Sequence, residues 1–259
     1  MSEVTELVSI ITPCFNSRIF LEETIRSVLA QTYANWEMII VDDCSTDGSF
    51  QVASAWAARD RRITALQLPT NQGAGPARNT AIQAARGRYL AFLDSDDLWD
   101  PDKLQRQLAF MSERDHGFTY SEYRVISEEG LLLGKPGPFP ASLSYWDMLK
   151  DYPGCLTVIV DRKVFPTVYF PPVRRNQDGA AWLALLRGGR HRAHKLDAEL
   201  ASYRTVRTSL TNNKLKSARA VWYVMREVEH LRWPVAAYFL GQYAIRGARK
   251  HLVTRAKQR

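Results

Sequence analysis

The sequence predicts an α/β fold, a mostly parallel sheet flanked by helices on both faces and followed by a helical C-terminal extension. Two observations predict it. Short apolar, β-rich runs alternate with segments of helical periodicity from residue 8 to about residue 111, the order of elements that builds parallel sheets. The runs are continuously apolar rather than alternating, which is typical of strands buried on both faces.

The first half of the chain contains four strand–helix units. The predicted strands are 8–13, 36–41, 63–68 and 88–93. The predicted helices are 19–31, one starting near Ser49 with Asp47 as its cap, 75–86 ending before Gly87, and one opened by Pro101 and continuing to about Met111. Ligands of open parallel sheets bind at the carboxyl ends of the strands, so the loops after these strands are the candidate site.

The pattern changes after residue 115. The predicted elements there are a hairpin of 118–126 and 131–135 around Glu129-Gly130, a strand at 155–160, a helix over 178–189 that two glycines end, and helical structure from about Ser217. We therefore divide the chain into residues 1–115 and 116–212, two halves of one domain, and a helical tail, residues 213–259.

Composition and charge limit the class of protein. The 259 residues carry 35 basic and 27 acidic side chains, a net charge of +8, which indicates either an anionic partner or a basic surface kept for solubility. Cys14, Cys44 and Cys155 lie far apart, so neither a disulfide framework nor a zinc site is indicated, and a reducing compartment fits. The N-terminus lacks signal-peptide features and no window approaches a spanning helix. We therefore expect a cytoplasmic protein, either free or peripheral on the inner face of the plasma membrane.

Polar clusters follow the predicted strands of the first half. They are Pro13-Cys14-Phe15-Asn16, Asp42-Asp43, NQGAGPARN at 71–79, and Asp94-Ser95-Asp96-Asp97. Turn chemistry alone explains any one cluster, but four at one edge of a sheet indicate a binding site. Asp94 and Asp96 are hard oxygen ligands of the kind that hold Mg²⁺ or Mn²⁺ together with substrate phosphates, and such an ion would offset their mutual repulsion.

The other clusters suit a nucleotide. Asp42 and Asp43 can accept hydrogen bonds from a base or ribose, and Phe15 can lie beside a nucleobase. The glycines of the 71–79 loop, Gly73 among them, permit close backbone approach, and Arg78 offers a fork of donors for phosphate.

Four segments carry a resemblance to a known family: VSIITPCFN, QTYANWEMIIVDDCSTDGS, NQGAGPARNTAI and GRYLAFLDSDDLW. Over about residues 7–114 the chain resembles family 2 glycosyltransferases of the GT-A (Rossmann-like) fold, of the bacterial teichuronic-acid, capsule and O-antigen type. The resemblance continues more loosely through GCLTVIVDRK, NQDGAAWLALL and YRTVRTSLTNNKLK. It implies an inverting, Mn²⁺- or Mg²⁺-dependent enzyme that moves a hexose or related sugar from a UDP-sugar to a hydroxyl of a glycan acceptor, expected to be lipid-linked. Residues 1–115 would then bind the nucleotide-sugar and 116–212 the acceptor.

The resemblance also implies roles for single residues. Pro13 and Phe15 would border the uracil and Asp43 would accept from the base. Asp94, the first residue of the DxD triplet, would bond the ribose or assist with the metal, and Asp96, the last, would coordinate it. Arg78 would lie near the donor. The remaining expected donor-site residues are Asn16, Asp42, Gly73 and Ser95.

In the family that the chain resembles, the general base is the second residue of an ED or QD pair that begins a helix, with a Trp four residues on. The resemblance therefore implies Asp178 of the Gln177-Asp178 pair, with Trp182, as the base; a simple helix-capping role is the alternative. Many relatives have a His where this chain has Val206, so Arg204 or Arg207 would contact the diphosphate instead.

The tail mixes aromatic and basic residues, among them Trp222, Tyr223, Trp233, Tyr238, Arg246 and Arg249. It either lies on an anionic membrane leaflet or packs its aromatics onto the catalytic domain, and the sequence leaves both open.

Two rival functions explain less of the sequence. A haloacid-dehalogenase-type phosphatase would use the apolar strand and DSDD, but Leu98 stands where a hydroxyl residue is expected. A nucleic-acid-binding protein would fit the net charge, but carboxylates at the proposed cleft would repel a phosphate backbone, so we expect no nucleic-acid partner.

Overall fold

The computed structural model describes residues 5–137, 139–206 and 214–256. Within these ranges the chain forms ten strands, β1 to β10: Val8–Cys14, Trp36–Asp42, Ile63–Gln67, Tyr89–Phe92, Leu98–Trp99, Phe118–Ile126, Leu132–Gly134, Ser142–Leu143, Val158–Asp161 and Ala193–Arg204. It also forms eight α-helices, α1 to α8: Arg18–Leu29, Ser49–Ala57, Ala74–Ala84, Lys103–Arg114, Tyr145–Met148, Gln177–Leu186, Lys214–Tyr223 and Trp233–Ala256.

All the strands belong to one sheet, with the order β3-β2-β1-β4-β9-β6-β10-β5 and with β7 on β6 and β8 on β10. β3, β2, β1 and β4 are parallel, and β6 and β10 share their direction, because β9 lies antiparallel between β4 and β6. The carboxyl ends of all these parallel strands therefore meet at one edge of the sheet, called here the catalytic edge. The chain enters β9 at this edge, through a 3₁₀ turn at Cys155–Thr157.

Apolar side chains fill both faces of the sheet, as the continuous apolar strands predict. On one face α1, α2 and α4 pack Leu21, Ile25, Ala53 and Leu104 against alternate strand residues such as Ile10. On the other face α3 and α6 pack Ala77, Ala81, Trp182 and Leu183 against neighbours such as Ile11. Successive strand residues point to opposite faces, so one run of sequence serves two cores.

The second half of the chain departs most from the predictions. The hairpin is confirmed as β6 and β7, and the predicted helix 178–189 forms as α6. The strand predicted at 155–160 begins three residues later, because Cys155–Thr157 form the 3₁₀ turn. Strand β10 has no counterpart among the predictions. Its sequence is AHKLDAELASYR, in which polar residues interrupt the apolar pattern that normally indicates a strand. Its pairing with β6 also shifts register twice.

The C-terminal extension is helical as predicted, and it packs on the domain. Val221, Val224, Met225, Ala236 and Phe239 are buried in the same core cluster as Trp182. Arg207 and residues 257–259 lie outside the described residues. None of the helices in the described ranges is long and apolar enough to span a bilayer.

Candidate active site

The expected donor residues lie together at the catalytic edge, because β1, β2 and β4 are adjacent and parallel. Pro13 is buried near the end of strand β1, whereas the ring of Phe15 is 48% exposed just beyond it. Asn16 adopts a left-handed conformation with φ of +48°. Its side-chain oxygen accepts from the amide of Thr46 at 2.9 Å, and its own amide donates to the Ser45 hydroxyl at 2.9 Å. These bonds fix the loop after β1 to the loop after β2.

Asp42 is the last residue of β2, Asp43 follows it, and both are buried. Asp43 accepts from the amides of Gln72 and Gly73, each at 2.7 Å, one on each carboxylate oxygen. Gly73 has φ of +98°, a conformation that favours glycine. Asp43 therefore holds the loop that begins α3, a role beside its expected contact with the base.

Asp42 is satisfied on only one side. Its Oδ2 accepts from the Ser45 amide and from Gln67 Nε2, but its Oδ1 has no partner although the side chain is fully buried. An unpaired buried carboxylate oxygen is costly unless a ligand donor completes it.

Ser95 is buried beneath the loop between β4 and β5. Its hydroxyl donates to the hydroxyl of Ser17 at 2.8 Å. The middle residue of the DxD triplet therefore ties that loop to the beginning of α1.

Arg78 links the two halves of the site. It is 4% exposed on α3, and its Nη2 donates to Asp94 Oδ1. When the oxygen and nitrogen of the Gln177 side-chain amide are exchanged, so that both atoms have hydrogen-bond partners, Arg78 Nη1 donates to the Gln177 oxygen at 3.2 Å. Burial lowers the pKa of Arg78, but nearby negative groups, Asp94 first among them, together outweigh burial and hold this pKa above its ordinary value. The Nε atom has no partner.

Asp96 and Asp97 are crowded by like charge. Burial, and then the nearby Asp94, raise the pKa of Asp96 to about 6. Burial, followed by Asp96 and Asp94, raises the pKa of Asp97 well above its ordinary value. Asp97 Oδ1 accepts from the Arg204 amide at 2.8 Å, while its Oδ2 has no partner.

The guanidinium of Arg204 lies beneath this turn and is 2% exposed. It donates to the carbonyls of Asp96 and Glu128, at 2.9 and 2.7 Å, and to Glu23 at 2.5 Å, and it stacks over Phe20. The structure thus gives Arg204 a supporting role below the DxD turn, with its donors already engaged by protein oxygens. Its expected contact with a diphosphate stays a prediction, as does that of Arg207.

Asp178 is the second residue of α6 and lies close enough to Arg78 and Asp94 for both to act on it. Burial raises the pKa of its carboxyl, Arg78 lowers it in part, and Asp94 raises it further. Its Oδ1 accepts from the Gly179 amide at 2.9 Å within the first turn of the helix. The N-cap of α6 is Asn176, so the helix-cap alternative for Asp178 is wrong. A carboxylate with a raised pKa is suited to accept a proton near neutral pH.

The residues present fit a divalent ion that shares its ligands with a substrate. Asp94 and Asp96 supply hard oxygens, and the raised pKa of Asp96 indicates that a cation would stabilise its charged form. Among the described residues no group of three or more His, Cys, Asp or Glu is arranged to hold a metal. Magnesium and manganese sites of this type use one or two carboxylates and take their remaining ligands from phosphate and water.

Three residues that the sequence analysis did not assign lie at the site: Asp97, Tyr152 and Cys155. The DSDD run could have indicated Asp97. Tyr152 lies outside every segment named in the sequence analysis, and Cys155, although it lies within GCLTVIVDRK, was given no role there. The entry of β9 at the catalytic edge brings Cys155 near Arg78 and Asp178.

The sequence of the chain is similar to those of known glycosyltransferases. A family model described as glycosyl transferase family 2 matches residues 9–163. The chain is 44% identical over 253 residues to the putative teichuronic acid biosynthesis glycosyltransferase TuaG of Bacillus subtilis, covering 97% of this chain and 100% of that protein. It is 37% identical over 251 residues to the UDP-Glc:alpha-D-GlcNAc-diphosphoundecaprenol beta-1,3-glucosyltransferase WfgD of Escherichia coli, with 95% of each chain covered.

Solved structures show the same fold. Residues 1–349 of S. aureus TarS in complex with UDP-GlcNAc match with a TM-score of 0.72 and 22% identity, covering 92% of this chain and 72% of that one. The mannosyltransferase PcManGT of Pyrobaculum calidifontis, in complex with GDP-Man and Mn²⁺, matches with a TM-score of 0.69 and 18% identity, covering 94% and 74%. These likenesses confirm the predicted GT-A fold.

Proposed function

Because this chain belongs to glycosyl transferase family 2, we propose that the enzyme transfers a hexose or related sugar from a UDP-sugar to a hydroxyl of a lipid-linked glycan. The observation that carries the proposal is the position of Arg78. Its buried guanidinium pairs with Asp94 on the expected donor side and lies beside Asp178 on the expected acceptor side. The donor and the acceptor would then bind on either side of the Arg78 guanidinium, whose position is fixed.

Asp178 acts as the general base in this proposal. Its carboxylate takes the proton of the acceptor hydroxyl as that oxygen attacks the anomeric carbon. Gln177 and Arg78 hold the first turn of α6 in place, which orients Asp178 before the acceptor arrives. One displacement inverts the anomeric configuration. The relative WfgD is named for a β-1,3 linkage formed from UDP-Glc, the outcome of inversion with an α-linked donor.

Asp96 and Asp94 would hold Mn²⁺ or Mg²⁺ against the donor diphosphate. The bound ion supplies charge stabilisation for the departing UDP. Around it, Asp43 orients the 71–73 loop toward the nucleotide, and the unpaired Oδ1 of Asp42 is available as an acceptor for it. The exposed ring of Phe15 offers a face for the uracil.

A panel of UDP-sugars with Mn²⁺, scored by UDP release, tests this proposal. We expect one or a few UDP-sugars to be turned over, and GDP-mannose to be inactive at the same concentration. Failure of every UDP-sugar to release UDP, with and without added glycan acceptor, would contradict the function.

Metal dependence is tested separately by calorimetry. Asp96→Ala is expected to lose the manganese-dependent part of UDP binding, since it removes one of two oxygen ligands. Asp102→Ala is the matched control, because Asp102 pairs with Arg106 at the beginning of α4. Equal UDP affinity of Asp96→Ala and wild type in Mn²⁺ would rule out this ligand.

We also propose a peripheral contact of the tail with an anionic membrane surface, where a lipid-linked acceptor would be found. Trp233 is 68% and Tyr238 is 59% exposed, although the inner face of the same helix is packed on the core. Interfacial aromatics beside basic residues favour such a surface. Cosedimentation with anionic vesicles tests it: Trp233→Ser/Tyr238→Ser should bind less than wild type, and equal binding would contradict the proposal.

A further inference from the structure

The segment that leads into α6 runs along α3 toward the catalytic edge. The side chain of Asn79 holds the beginning of this segment, because it donates to the Phe170 carbonyl at 2.7 Å and accepts from the Phe170 amide at 2.8 Å. At Gly75 the Pro171 carbonyl comes so close that a Cβ there would lie 3.0 Å from it. At the N-terminal end of α3, Arg174 Nη1 donates to Asn71 Oδ1 at 3.3 Å.

This path brings two consecutive arginines between the donor loop and the general base. Asn71, the partner of Arg174, also donates to the Asp43 carbonyl at 3.1 Å. Arg174 therefore contacts the loop that Asp43 holds in place. Asn176, two residues later, adopts φ of +56° and accepts from the Tyr152 hydroxyl at 2.9 Å. Both flanks of the Arg174-Arg175 pair are therefore fixed, and Asp178 follows three residues after Arg175.

The carboxylates at the catalytic edge would repel an acceptor that carries phosphates. Asp94, Asp96 and Asp178 face the expected meeting point of donor and acceptor, and Arg78 beneath them already bonds Asp94 and Gln177. An acceptor with its own phosphates would be repelled by these carboxylates unless cations received it. Arg174 is exposed, and Arg175 is half-buried and precedes the base by three residues in the chain. Guanidinium groups bind phosphate oxygens in a bidentate manner.

We propose that Arg174 and Arg175 form an acceptor-side site for a sugar-linked pyrophosphate, binding the diphosphate of a lipid-linked acceptor while Asp178 meets the hydroxyl of its sugar. The inference rests on the proposed function for the identity of the acceptor. In such an acceptor the first sugar is joined directly to the diphosphate, so the phosphates lie one sugar ring from the attacking hydroxyl. The pair precedes α6, three and four residues before Asp178 in the chain, and binding the diphosphate there would make the enzyme select diphosphate-linked glycans over free ones.

Equilibrium binding tests the site without relying on turnover. The probes are N-acetylglucosaminyl diphosphate carrying a short alkyl chain, the alkyl glycoside of the same sugar without phosphate, and UDP with Mn²⁺. They are titrated into wild type, Arg174→Gln/Arg175→Gln, and the matched control Arg59→Gln/Arg61→Gln. The control removes the same charge at the opposite edge of the sheet, just before β3.

We expect wild type and the control to bind the diphosphate probe about tenfold or more tightly than the glycoside, and the Arg174→Gln/Arg175→Gln variant to lose most of this preference. Any of three results overturns the site: wild type shows no preference, the variant keeps it, or the variant loses UDP affinity to the same extent. The last result would assign the arginines to the donor. If the binding results support the diphosphate site but no sugar transfer is detected, the proposed function is contradicted and the site is not.

Discussion

At the scale of residues, the run of acids from Asp94 to Asp102 is resolved by two different means. Asp100 pairs with Arg124, Asp102 with Arg106 and Asp94 with Arg78, so the chain itself supplies cations for three of them. Asp96 and Asp97 remain. Burial and then the charge of Asp94 raise the pKa of Asp96, and burial followed by the charges of Asp96 and Asp94 raises the pKa of Asp97. The need for an external cation is therefore confined to the DxD turn.

The assignment of Asp178 predicts a loss of transfer without a loss of donor binding. In Asp178→Asn the side chain keeps its size and its bond with the Gly179 amide but cannot accept the acceptor proton. We expect kcat for sugar transfer to fall by about 100-fold or more, with UDP affinity nearly unchanged. Transfer assays and UDP calorimetry measure the two effects.

Asp115→Asn is the matched control, since Asp115 is exposed at the end of α4, away from the catalytic edge. It should retain wild-type transfer. Transfer by Asp178→Asn at a rate near that of the control would exclude the base assignment.

At the scale of elements, the position of the first turn of α6 depends on the absence of a side chain at Gly179. A Cβ on Gly179 would lie 2.6 Å from the ring of Tyr152, and that ring also holds Asn176 through its hydroxyl. Trp182, one turn later, is buried against Phe92, Phe118 and Phe170 and cannot shift to make room. The position of Asp178 thus follows from packing on both sides of the first turn.

Gly179→Ala is therefore expected to lower stability by about 1–3 kcal/mol, because the added methyl group overpacks a filled site. Since any relief must move the first turn of α6, kcat should fall as well. Chemical denaturation and transfer kinetics measure both.

Gly241→Ala provides the control in α8, where a Cβ meets nothing within 4 Å. The same change there should be neutral or slightly stabilising, as alanine favours a helix over glycine. Equal stability of the two variants would show that Tyr152 can move freely.

At the scale of the whole molecule, one buried lysine gives the folded state a pH dependence. Lys103 is the first residue of α4 and its side chain is buried in the core, where its Nζ donates to Gln107 at 2.6 Å and lies over the ring of Trp99. Burial lowers the pKa of Lys103 from 10.5 to about 7. Between these values the unfolded chain holds a proton that the folded protein lacks, so the free energy of unfolding rises with pH.

Lys103→Met should remove this contribution. The stability of wild type relative to Lys103→Met is expected to increase from about pH 7 to about pH 9, by at most ~1.4 kcal/mol per pH unit. Denaturant unfolding at several pH values measures the difference. Lys163→Met is the control, because the Lys163 side chain is 65% exposed, and its plot of stability against pH should be parallel to that of wild type. If the plot for Lys103→Met is also parallel to that of wild type, the loss of the Lys103 charge on folding is contradicted.

The sequence by itself determined the first half of the fold and the residues gathered at its edge. Strands such as Val8–Cys14 and Trp36–Asp42 are continuously apolar, and parallel neighbours must bring their carboxyl ends together, so Asp43, Arg78 and Asp94 could be placed in one site from local pattern alone.

Only the tertiary structure decided the rest. The antiparallel insertion of β9, the irregular pairing of β10 with β6, and the burial of Arg204 and Lys103 depend on contacts between segments far apart in sequence. The same holds for the passage of Arg174 along α3 to Asn71. A local pattern reports which face of an element is apolar; it does not report which distant partner covers that face or neutralises a charge on it.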